Sequence, residues 1–284
     1  MTLKIMTFNL RGSFFGAHLD GVNIWQNRAD LNLRTIRKYD ADLIGFQEYQ
    51  RGNQAFYESR LTDYAYEMGL ITVDDSEFGM WNPIYWKADR FSLLDSGGFY
   101  LSKTPDVYSS HWDAMLVRAA NWVRLHDNHT DETFVFCNHH LDHIGEESRV
   151  EGAKIIVERL SSMTDPVIVV ADFNSRVWAP PDEDKQNPPA GVDPLDLYPP
   201  GTVHGVFTRA GYEDTYLAAG HTDAPHINTF HDWRGEDYPP IAIRIDWILG
   251  KHIITKSCDI IMDCEPPLYP SDHYPIVASI ELKG

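Results

Sequence analysis

The sequence has few cysteines and no long hydrophobic run. Of its 284 residues only three are cysteine, Cys137, Cys258 and Cys264, and no two form a CxxC pair. A disulfide framework is therefore excluded, and a reduced compartment is favoured. The longest apolar runs, such as VIVVA at 167–171, are far too short to span a bilayer. The first residues lack a basic segment followed by an apolar one, so we expect no signal peptide and a cytoplasmic protein.

Positive charge is also scarce. Lys and Arg total 24 against 42 Asp and Glu, which gives a formal net charge of −18. Proteins that bind nucleic acid gain most of their affinity from basic side chains on phosphates, so this charge counts against a general binder of long DNA or RNA. A metal ion bound in a cleft can still make an active site locally positive. The acidic charge therefore disfavours a nucleic-acid binder without excluding one.

Strand-like and helix-like segments follow one another without an internal repeat. Two amphipathic segments, 28–40 and 146–162, are predicted helices. Strands mixed with helices, yet with several strands adjacent in sequence, indicate an α/β (α+β) sandwich with mixed sheets. Eight runs rich in Ile, Val, Phe and Tyr are predicted strands, namely residues 3–10, 42–49, 83–86, 121–125, 133–140, 167–174, 245–249 and 275–282.

One stretch differs in composition from the rest of the chain. Residues 178–202 are crowded with Pro, Asp and Gly, and proline lacks the backbone donor that a sheet needs. We therefore predict a long loop, and because it follows the strand ending in ADFN, we expect it to wall the active site. No other segment resembles a linker, so residues 1–284 are predicted to form a single domain.

Five of the predicted strands carry an acid, an amide or an imidazole at one end. Because the apolar residues bury the strands, we expect these ends to converge on one edge of the sandwich. Oxygen ligands from Asp, Glu and Asn suit a hard cation such as Mg²⁺ or Mn²⁺, whereas zinc favours Cys and His. The polar ends are Asn9, Glu48, the cluster NHHLDH at 138–143, Asp172 with Asn174, and Asp272 with His273.

Each polar end also has a purely structural explanation. Asn9 can start a turn, the ADFN segment can form an Asx turn, and SDH can cap a helix. The NHHLDH segment can be a polar loop. The occurrence of all five along one chain is harder to explain in this way and favours a functional site.

The ordered motifs TFNLRG, GFQE, NHHLDH, ADFN, RIDWIL and SDHYPI resemble those of the endonuclease/exonuclease/phosphatase superfamily, which has the deoxyribonuclease-I-like fold. The resemblance runs from Asn9 to His273, nearly the whole chain. It implies a four-layered α/β sandwich of two mixed β-sheets flanked by helices. It also implies hydrolysis of a phosphodiester or phosphomonoester with a divalent metal, Mg²⁺ or Mn²⁺. Substrates in this superfamily range from DNA and RNA tails to inositol phosphates, phospholipids and nucleotide-derived small molecules.

Three residues match the metal site of that superfamily. The resemblance implies that Asn9 and Glu48 hold the metal and that Asp272 completes or borders the site. Glu48 would supply negative charge and Asn9 a neutral oxygen. This combination keeps the cation electrophilic enough to polarise a phosphoryl oxygen.

Four further residues match catalytic positions. His273 resembles the histidine that faces the scissile phosphate, and Asp246 resembles the carboxylate that orients it, with a strand-edge turn as the alternative for Asp246. Asp172 and Asn174 match a D-x-N motif. Asp172 would position or deprotonate the attacking water, and Asn174 would hold a phosphoryl oxygen or a second metal. Side chains two residues apart in an extended segment point to the same side, so both can face the substrate.

The histidine cluster contains one further catalytic candidate. The superfamily form of the motif, N-T-H-L-D-H, aligns His140 with the catalytic or phosphate-contacting histidine and leaves His139 where Thr is usual. Successive side chains of a strand point to opposite faces, so only one of the two can enter the site. We expect His140 in the site, His139 buried or supporting it, and Asp142 and His143 at the rim.

One position departs from the superfamily pattern. Many relatives have a Glu just before the strand that matches 83–86, where it supports the histidine matching His140. The register of GMWNPIYW places Met80 there, and Glu77 could substitute only if the loop bulges. Without a carboxylate partner, His140 would be less firmly oriented, and its neutral form would be favoured.

Two residues are candidates for substrate binding. Arg118 resembles an arginine that many members keep near the phosphate, with a surface ion pair as the alternative, and His231 falls near the same mouth by its order in the chain. Trp178, Trp233 and Tyr238 come from loops expected at the active edge. For these aromatic side chains, packing is favoured over stacking on a substrate.

The expected protein is a metal-dependent hydrolase of phosphate esters that acts on a small molecule or a short nucleic acid. A 3′ exonuclease of the deadenylase type is the alternative within the same chemistry. A binding module with an inactive site is disfavoured, because the residues that match catalytic and metal positions are all present. The sequence predicts no membrane span, and it does not indicate an oligomeric state.

Overall fold

The computed structural model describes residues 1–74, 78–179 and 201–283. Its strands are β1 (Leu3–Asn9), β2 (Leu43–Gln47), β3 (Tyr49–Gln50), β4 (Tyr64–Glu67), β5 (Ile71–Val73), β6 (Met80–Trp81), β7 (Ile84–Lys87), β8 (Phe91–Tyr100), β9 (Ala119–Asp127), β10 (Glu132–His140), β11 (Val167–Asp172), β12 (Glu213–Asp214), β13 (Asp246–Lys251), β14 (Ile253–Ile260) and β15 (Ile276–Leu282). Its α-helices are α1 (Ala17–Asp20), α2 (Trp25–Tyr39), α3 (Arg51–Tyr57), α4 (Glu146–Leu160), α5 (Thr202–Arg209) and α6 (Thr215–Ala218). Short 3₁₀ helices cover Gly21–Asn23 and Gly235–Asp237.

Two six-stranded sheets form the centre of the molecule. The strand order is β14–β15–β1–β2–β7–β4 in the first sheet and β12–β13–β11–β10–β9–β8 in the second. Each sheet has a parallel central pair, β1 with β2 and β10 with β11, and its other pairs are antiparallel. Helix α2 connects the first parallel pair and α4 the second, as parallel neighbours require a long crossover. The carboxyl ends of each pair therefore lie side by side.

Three apolar clusters divide the molecule into four layers. The cluster between the sheets includes Ile5, Leu43, Phe136 and Ile168. A second cluster packs the outer face of the first sheet against α2 and α3, and a third packs the outer face of the second sheet against α4 and α5. This order of helices, sheet, sheet and helices confirms the four-layered sandwich that the resemblance implies.

Strand alternation decides which polar side chains meet at the end of the sandwich. In β10, Phe134 and Phe136 belong to the cluster between the sheets, whereas Val135 and Cys137 belong to the cluster toward α4. Because the period of a strand is two, His140 continues the inner row. By the same alternation, the last inward-facing side chain of each neighbouring strand lies at this end of the layer between the sheets.

All eight predicted strands are confirmed, and both predicted helices are present. Helix α2 begins at Trp25, three residues before the predicted start, and α4 ends at Leu160. The four further strands of these two sheets, β4, β8, β12 and β14, lie at sheet edges, and the strands of the small sheet β3–β6–β5 are very short. Sequence patterns are weakest in such strands. None of the described helices is long and apolar enough to cross a membrane. Most of the predicted 178–202 loop lies outside the described residues.

Candidate active site

A cleft of about 370 Å³ opens at the end of the inter-sheet layer. The first sheet contributes strand ends from β1 and β2, and the second contributes strand ends from β10, β11 and β13. Eight of the predicted site residues line or border this cleft as one group. They are Glu48, Arg118, His140, Asp172, Asn174, Asp272 and His273 in its wall, with Asn9 bonded directly to two of them.

The amide of Asn9 joins the two sheets. Its Nδ2 donates to Glu48 Oε1 at 3.1 Å and to Asp172 Oδ2 at 2.9 Å, while its Oδ1 accepts from the Arg11 backbone N–H at 3.0 Å. The register pairs Asn9 with Gln47 in one sheet and His140 with Asp172 in the other. Two carboxylates from different sheets therefore face one buried amide.

Glu48 leaves the strand through an unusual backbone conformation. Strand β2 ends at Gln47 and β3 starts at Tyr49, and Glu48 between them has φ of 54°. A non-glycine residue in the left-handed region is uncommon and often marks a functional position. The interruption turns the Glu48 side chain into the cleft.

Glu48, Asp272 and Asn9 form a donor set that fits a hard divalent cation. Two carboxylates and one amide supply oxygen ligands of the kind Mg²⁺ and Mn²⁺ prefer. The Asn9 oxygen has two lone pairs, so the Arg11 N–H leaves one of them available. Asp272 is 4% exposed and accepts a hydrogen bond at Oδ1 from Ser271 Oγ at 3.2 Å. The chemistry and the burial of these donors thus suit a metal.

A buried Asp–His pair stands beside this donor set. His273 Nδ1 lies 2.9 Å from Asp246 Oδ2, and its Nε2 lies 3.8 Å from Asp172 Oδ2. Burial opposes the charged imidazole, but Asp246 and Asp172 outweigh it and raise the pKa of His273 to about 10. The structure thus brings Asp246 next to His273, as predicted from RIDWIL and SDH, rather than leaving it in a turn.

Ligand atoms of Asp172, Asp246 and His273 also lie within 4.8 Å of one another, a spacing that can suit a metal ion. We interpret this group as a hydrogen-bonded chain. A protonated imidazole has no lone pair to offer a cation, and the 2.9 Å Nδ1–Oδ2 contact is the length of a direct hydrogen bond. The oxygen donors on Glu48 and Asp272 are the better metal candidates.

Asp172 contacts several of the other polar residues of the cleft. Burial alone would raise the pKa of this carboxyl, but the imidazoles of His140 and His273 and the Asn174 N–H hold it well below its usual range. Its Oδ1 accepts from the Asn174 backbone N–H at 2.8 Å, and its Oδ2 lies 3.2 Å from His140 Nε2. Asp172 is therefore ionised and able to orient a donor such as water.

Asn174 enters the cleft through a turn. The strand ends at Asp172, and Asn174 has φ of 47°. Its Nδ2 donates to the Leu141 carbonyl at 3.0 Å and lies 2.9 Å from His140 Nε2. The expectation that both residues of the D-x-N motif face the cleft is confirmed, but the left-handed turn, rather than strand alternation, places the second one.

The environment of His140 is incomplete on one side. Nε2 contacts Asn174 and Asp172, whereas Nδ1 is buried and has no hydrogen-bond partner among the described residues. Met80 lines the same cleft, which agrees with the predicted absence of a carboxylate at that position. Glu77, the possible substitute, lies outside the residues that the structure describes.

His139 points away from the cleft, as strand alternation predicts. It is fully buried against Phe173 and Phe207, with ring centroids 4.6 and 6.3 Å apart. Burial lowers its pKa to about 3, so the ring is neutral. His139 is an aromatic core residue beneath α5.

Arg118, Asp142 and His143 form one wall of the cleft. Arg118 Nη2 lies 3.1 Å from His143 Nδ1, and Arg118 Nε lies 3.7 Å from Asp142 Oδ2. Asp142 also accepts four backbone N–H groups, those of Met115, Leu116, Ile144 and Gly145. Burial alone would raise the pKa of Asp142, but the Arg118 guanidinium and these N–H groups outweigh it and hold the pKa below its usual range. Asp142 thus organises the wall, and Arg118 and His143 face the cleft.

His231 does not reach the cleft. It is fully buried, stacks on Tyr274 with ring centroids 4.1 Å apart, and donates its backbone N–H to the Asp272 carbonyl at 2.9 Å. The predicted substrate contact is therefore replaced by a position behind the Asp272–His273 segment. Tyr238 is likewise buried, and it packs edge-on against Phe230, in keeping with the predicted packing role.

Several cleft residues were not predicted from the sequence. Two of them, Arg11 and Phe15, follow β1 directly, and the guanidinium of Arg11 lies 4.0 Å from the Phe15 ring centre. Their signal was available, because both lie within six residues of Asn9. The other unpredicted lining residues are apolar and lie one or two positions from predicted residues, namely Leu116, Ile144, Phe230 and Ile245.

Arg28 is a further residue that the sequence analysis missed. It is fully buried in α2 and donates to the carbonyls of Leu10, Arg11, Gly12, Asn23 and Pro270 at 2.8 to 3.2 Å. These bonds tie the loop after Asn9 to the loop before Asp272. A signal existed, since Arg28, Asn32 and Thr35 are polar side chains at helical spacing on the buried face of α2.

Comparisons with known proteins identify the family and the fold of the chain. The model of the Endonuclease/Exonuclease/phosphatase family matches residues 6–273. No curated protein sequence matches the chain. Solved structures with a similar fold are numerous, and three of them are described next.

An endonuclease/exonuclease/phosphatase from Bacteroides vulgatus is 27% identical, with 99% of each chain covered and a TM-score of 0.81. A mannosyl-6-phosphatase from Bacteroides thetaiotaomicron is 25% identical, covers 99% of this chain and 100% of its own, and has a TM-score of 0.80. A D. rerio TDP2 complexed with a single-strand DNA product is 16% identical over 99% of both chains, with a TM-score of 0.71, and shows the fold alone.

Proposed function

The chain belongs to the endonuclease/exonuclease/phosphatase family, whose members are phosphoester hydrolases that use divalent metals, and we propose that it hydrolyses a small phosphate ester with Mg²⁺ or Mn²⁺. The observation that carries the proposal is the meeting of two groups of side chains in one cleft. One group is the oxygen donor set of Asn9, Glu48 and Asp272. The other contains His140, Asp172, Asn174 and the His273–Asp246 pair.

Each group has a part in the proposed reaction. When bound by Asn9, Glu48 and Asp272, the metal supplies Lewis acidity to a phosphoryl oxygen. Asp172 accepts a hydrogen bond from the attacking water and orients it toward phosphorus. The Asn174 backbone N–H and His140 Nε2 contact the Asp172 carboxylate, and Asn174 Nδ2 contacts His140 Nε2, all within 3.2 Å. Asn174 and His140 bind the phosphoryl oxygens.

His273 stabilises the charge that builds up on the phosphoryl group. Asp246 keeps its Nδ1 bonded, which aims Nε2 toward Asp172 and the cleft. A fixed cationic donor needs no reorientation when charge develops, which is the usual source of electrostatic catalysis. Arg118, which also lines the cleft, adds a second fixed cation near the substrate phosphate.

Three features support a small or short substrate. The cleft volume of about 370 Å³ is at the lower end of small-molecule sites. The net charge of −18 opposes a long polyanion. A mannosyl-6-phosphatase is among the similar structures at 25% identity, so a sugar phosphate is one suitable substrate. The alternative is a short single strand, because Phe15 and Phe230 line the cleft and can stack on a base.

The proposal is tested with Glu48→Gln and a panel of substrates in Mg²⁺ and Mn²⁺. The panel contains sugar phosphates, small phosphodiesters, labelled oligo-A and plasmid DNA. We expect the wild type to turn over a small ester and Glu48→Gln to lose about a thousandfold in kcat/KM, because the cation loses an anionic ligand. Mn²⁺ affinity, measured by calorimetry, should fall in parallel.

Glu281→Gln is the matched control, since Glu281 is a surface carboxylate paired with Lys256 at 2.7 Å. It should retain wild-type activity and Mn²⁺ affinity. Unchanged hydrolysis in Glu48→Gln would refute the metal assignment. Preferred digestion of oligo-A would favour the exonuclease, and efficient plasmid nicking without turnover of small esters would contradict the small-substrate proposal.

A further inference from the structure

Arg11 occupies a position in the cleft that the proposed mechanism does not use. Its Nε lies 3.3 Å from Asp20 Oδ1 and 3.6 Å from Asp272 Oδ2, and its guanidinium lies against the ring of Phe15 at 4.0 Å. Asp272 is a candidate metal ligand, so Arg11 stands at the edge of the metal site. A phosphoryl group that reaches the metal also comes within range of this guanidinium.

The backbone around Arg11 is held on both sides. Arg11 and Gly12 have φ of 54° and 53°, and a Cβ on Gly12 would come within 2.3 Å of Gln50 Oε1. Arg28 binds the carbonyls of residues 10, 11 and 12, and Gln50 Oε1 accepts the N–H groups of Ser13 and Phe14. Glycine adopts the left-handed conformation readily, but Arg11 does not, and these bonds hold Arg11 in it. The loop therefore presents Arg11 in one orientation.

Asp20 fixes the guanidinium from behind. This carboxylate is 2% exposed, and its Oδ2 is buried without a hydrogen-bond partner among the described residues. An unpaired buried carboxylate oxygen is costly, so the Arg11–Asp20 contact is the main compensation for burying Asp20. Asp20 engages Nε, and the Arg11 side chain lines the cleft with its two terminal nitrogens left for other partners. They make no hydrogen bond to residues 1–74, 78–179 or 201–283.

We propose that Arg11, positioned by the buried Asp20, selects phosphomonoesters over phosphodiesters by binding the third non-bridging oxygen of the scissile phosphate. This inference rests on the proposed phosphoesterase function and specifies its substrate class. His273, Arg118 and a bound divalent cation would already suffice for the single charge that a diester carries. A monoester at neutral pH carries nearly two charges and one more oxygen acceptor, and a planar guanidinium can bind two of the phosphate oxygens through two parallel hydrogen bonds.

The local charge supports this assignment. Glu48, Asp20 and Asp272 surround Arg11 and each favours its charged form, so these four groups sum to two negative charges. A divalent cation brings the sum to zero. Loss of Arg11 would leave one uncompensated negative charge beside the substrate. A dianion would then be repelled more strongly than a monoanion, since Coulomb energy scales with the product of the charges.

The test compares Arg11→Met with the wild type on two matched chromogenic substrates. These are p-nitrophenyl phosphate, a monoester, and methyl p-nitrophenyl phosphate, a diester with the same leaving group. We expect the wild type to prefer the monoester. Arg11→Met should lower kcat/KM for the monoester about 30-fold and for the diester less than about threefold, the loss expected for a hydrogen-bonded charge. The inhibition constant of inorganic phosphate should rise by a similar factor.

Asp20→Asn tests the positioning step. It should lower kcat/KM for the monoester by about a third of the factor expected for Arg11→Met. The double variant should be no less active than Arg11→Met alone, because the two residues act through one contact. Arg11→Lys should recover part of the monoester activity. Arg34→Met, which removes an exposed arginine paired with Glu265 at 2.8 Å, is the control and should leave the monoester-to-diester ratio unchanged.

The outcomes separate this inference from the function on which it rests. An active wild type with an equal loss on both esters, or with lowered Mn²⁺ affinity in Arg11→Met, overturns the assignment of Arg11 and leaves the phosphoesterase intact. A wild type that prefers the diester also overturns it. A wild type that hydrolyses no member of the wider panel in either metal refutes both proposals together.

Discussion

Two histidines face the same carboxylate in this cleft, and their surroundings differ. His273 comes from the segment before β15 and has a buried partner, Asp246, 2.9 Å from its Nδ1. His140 comes from the end of β10, and its buried Nδ1 has no partner among the described residues. Their Nε2 atoms lie 3.8 and 3.2 Å from Asp172 Oδ2. The difference lies almost entirely at Nδ1, on the side of each ring that faces away from Asp172.

That far side decides what each histidine can do. With Asp246 behind it, His273 is held charged, and its pKa is raised to about 10. His140 Nε2 lies between the Asn174 amide N–H and the Asp172 carboxylate, at 2.9 and 3.2 Å. A single nitrogen cannot accept the first bond and donate the second at once. His140 Nε2 therefore makes only one of these two hydrogen bonds at a time, whereas His273 is the fixed cation.

Removal of the fixed cation should have the largest effect. His273→Ala is expected to lower kcat for the best small ester by about a thousandfold, because a positioned charged group is lost beside the reacting phosphate. Circular dichroism and the melting temperature would show that the fold is kept. A loss under tenfold would mean that His273 is not the charge-stabilising residue.

The orienting carboxylate should matter less than the ring itself. Asp246→Asn keeps the shape but removes the charge, so we expect kcat to fall about 30-fold with KM little changed. The acidic and alkaline limits of the pH profile should also move closer together, since the imidazolium is lost at a lower pH. The control is Asp259→Asn, a carboxylate on the edge strand β14, which should behave as the wild type. A wild-type profile for Asp246→Asn would contradict the pairing.

The smallest effect is expected when the missing partner of His140 is restored. Met80→Glu places a carboxylate in the wall of the cleft, where it can accept a hydrogen bond from Nδ1–H and orient the ring. We expect kcat/KM to rise less than about fivefold, because an oriented ring acts more efficiently. Met80→Leu, which offers no acceptor, should behave as the wild type. Equal activities of the two variants would refute this explanation.

Sequence patterns predicted most of this architecture because buried strands carry strong signals. The eight predicted strands include the four central ones, β1, β2, β10 and β11, whose continuous apolar runs reflect burial on both faces. Edge strands such as β8 and β14 were not predicted. Residues Ser92–Ser96 of β8 are exposed. Their side chains do not need to be apolar, so the hydrophobic pattern that identifies a buried strand is missing.

The candidate site divides in the same way. The motifs identified Glu48, His140, Asp172 and His273, since each lies at or beside a strand end whose apolar run is plain in the sequence. Arg28 and Asp20 were missed because their roles depend on contacts with loops that are distant in the chain or poorly patterned. His231 was assigned to the cleft from its order, but the loop turns its ring behind Asp272.

The family, the layer order and the parity of the strands can all be inferred from the amino-acid sequence. Parity follows from a period of two residues, so His140 points inward and His139 outward whatever the rest of the fold is. The contacts between side chains of the two sheets depend instead on the tertiary structure. Asn9 meets both Glu48 and Asp172, and Asp246 meets His273, because the packing of one sheet on the other sets the distances between residues far apart in the chain.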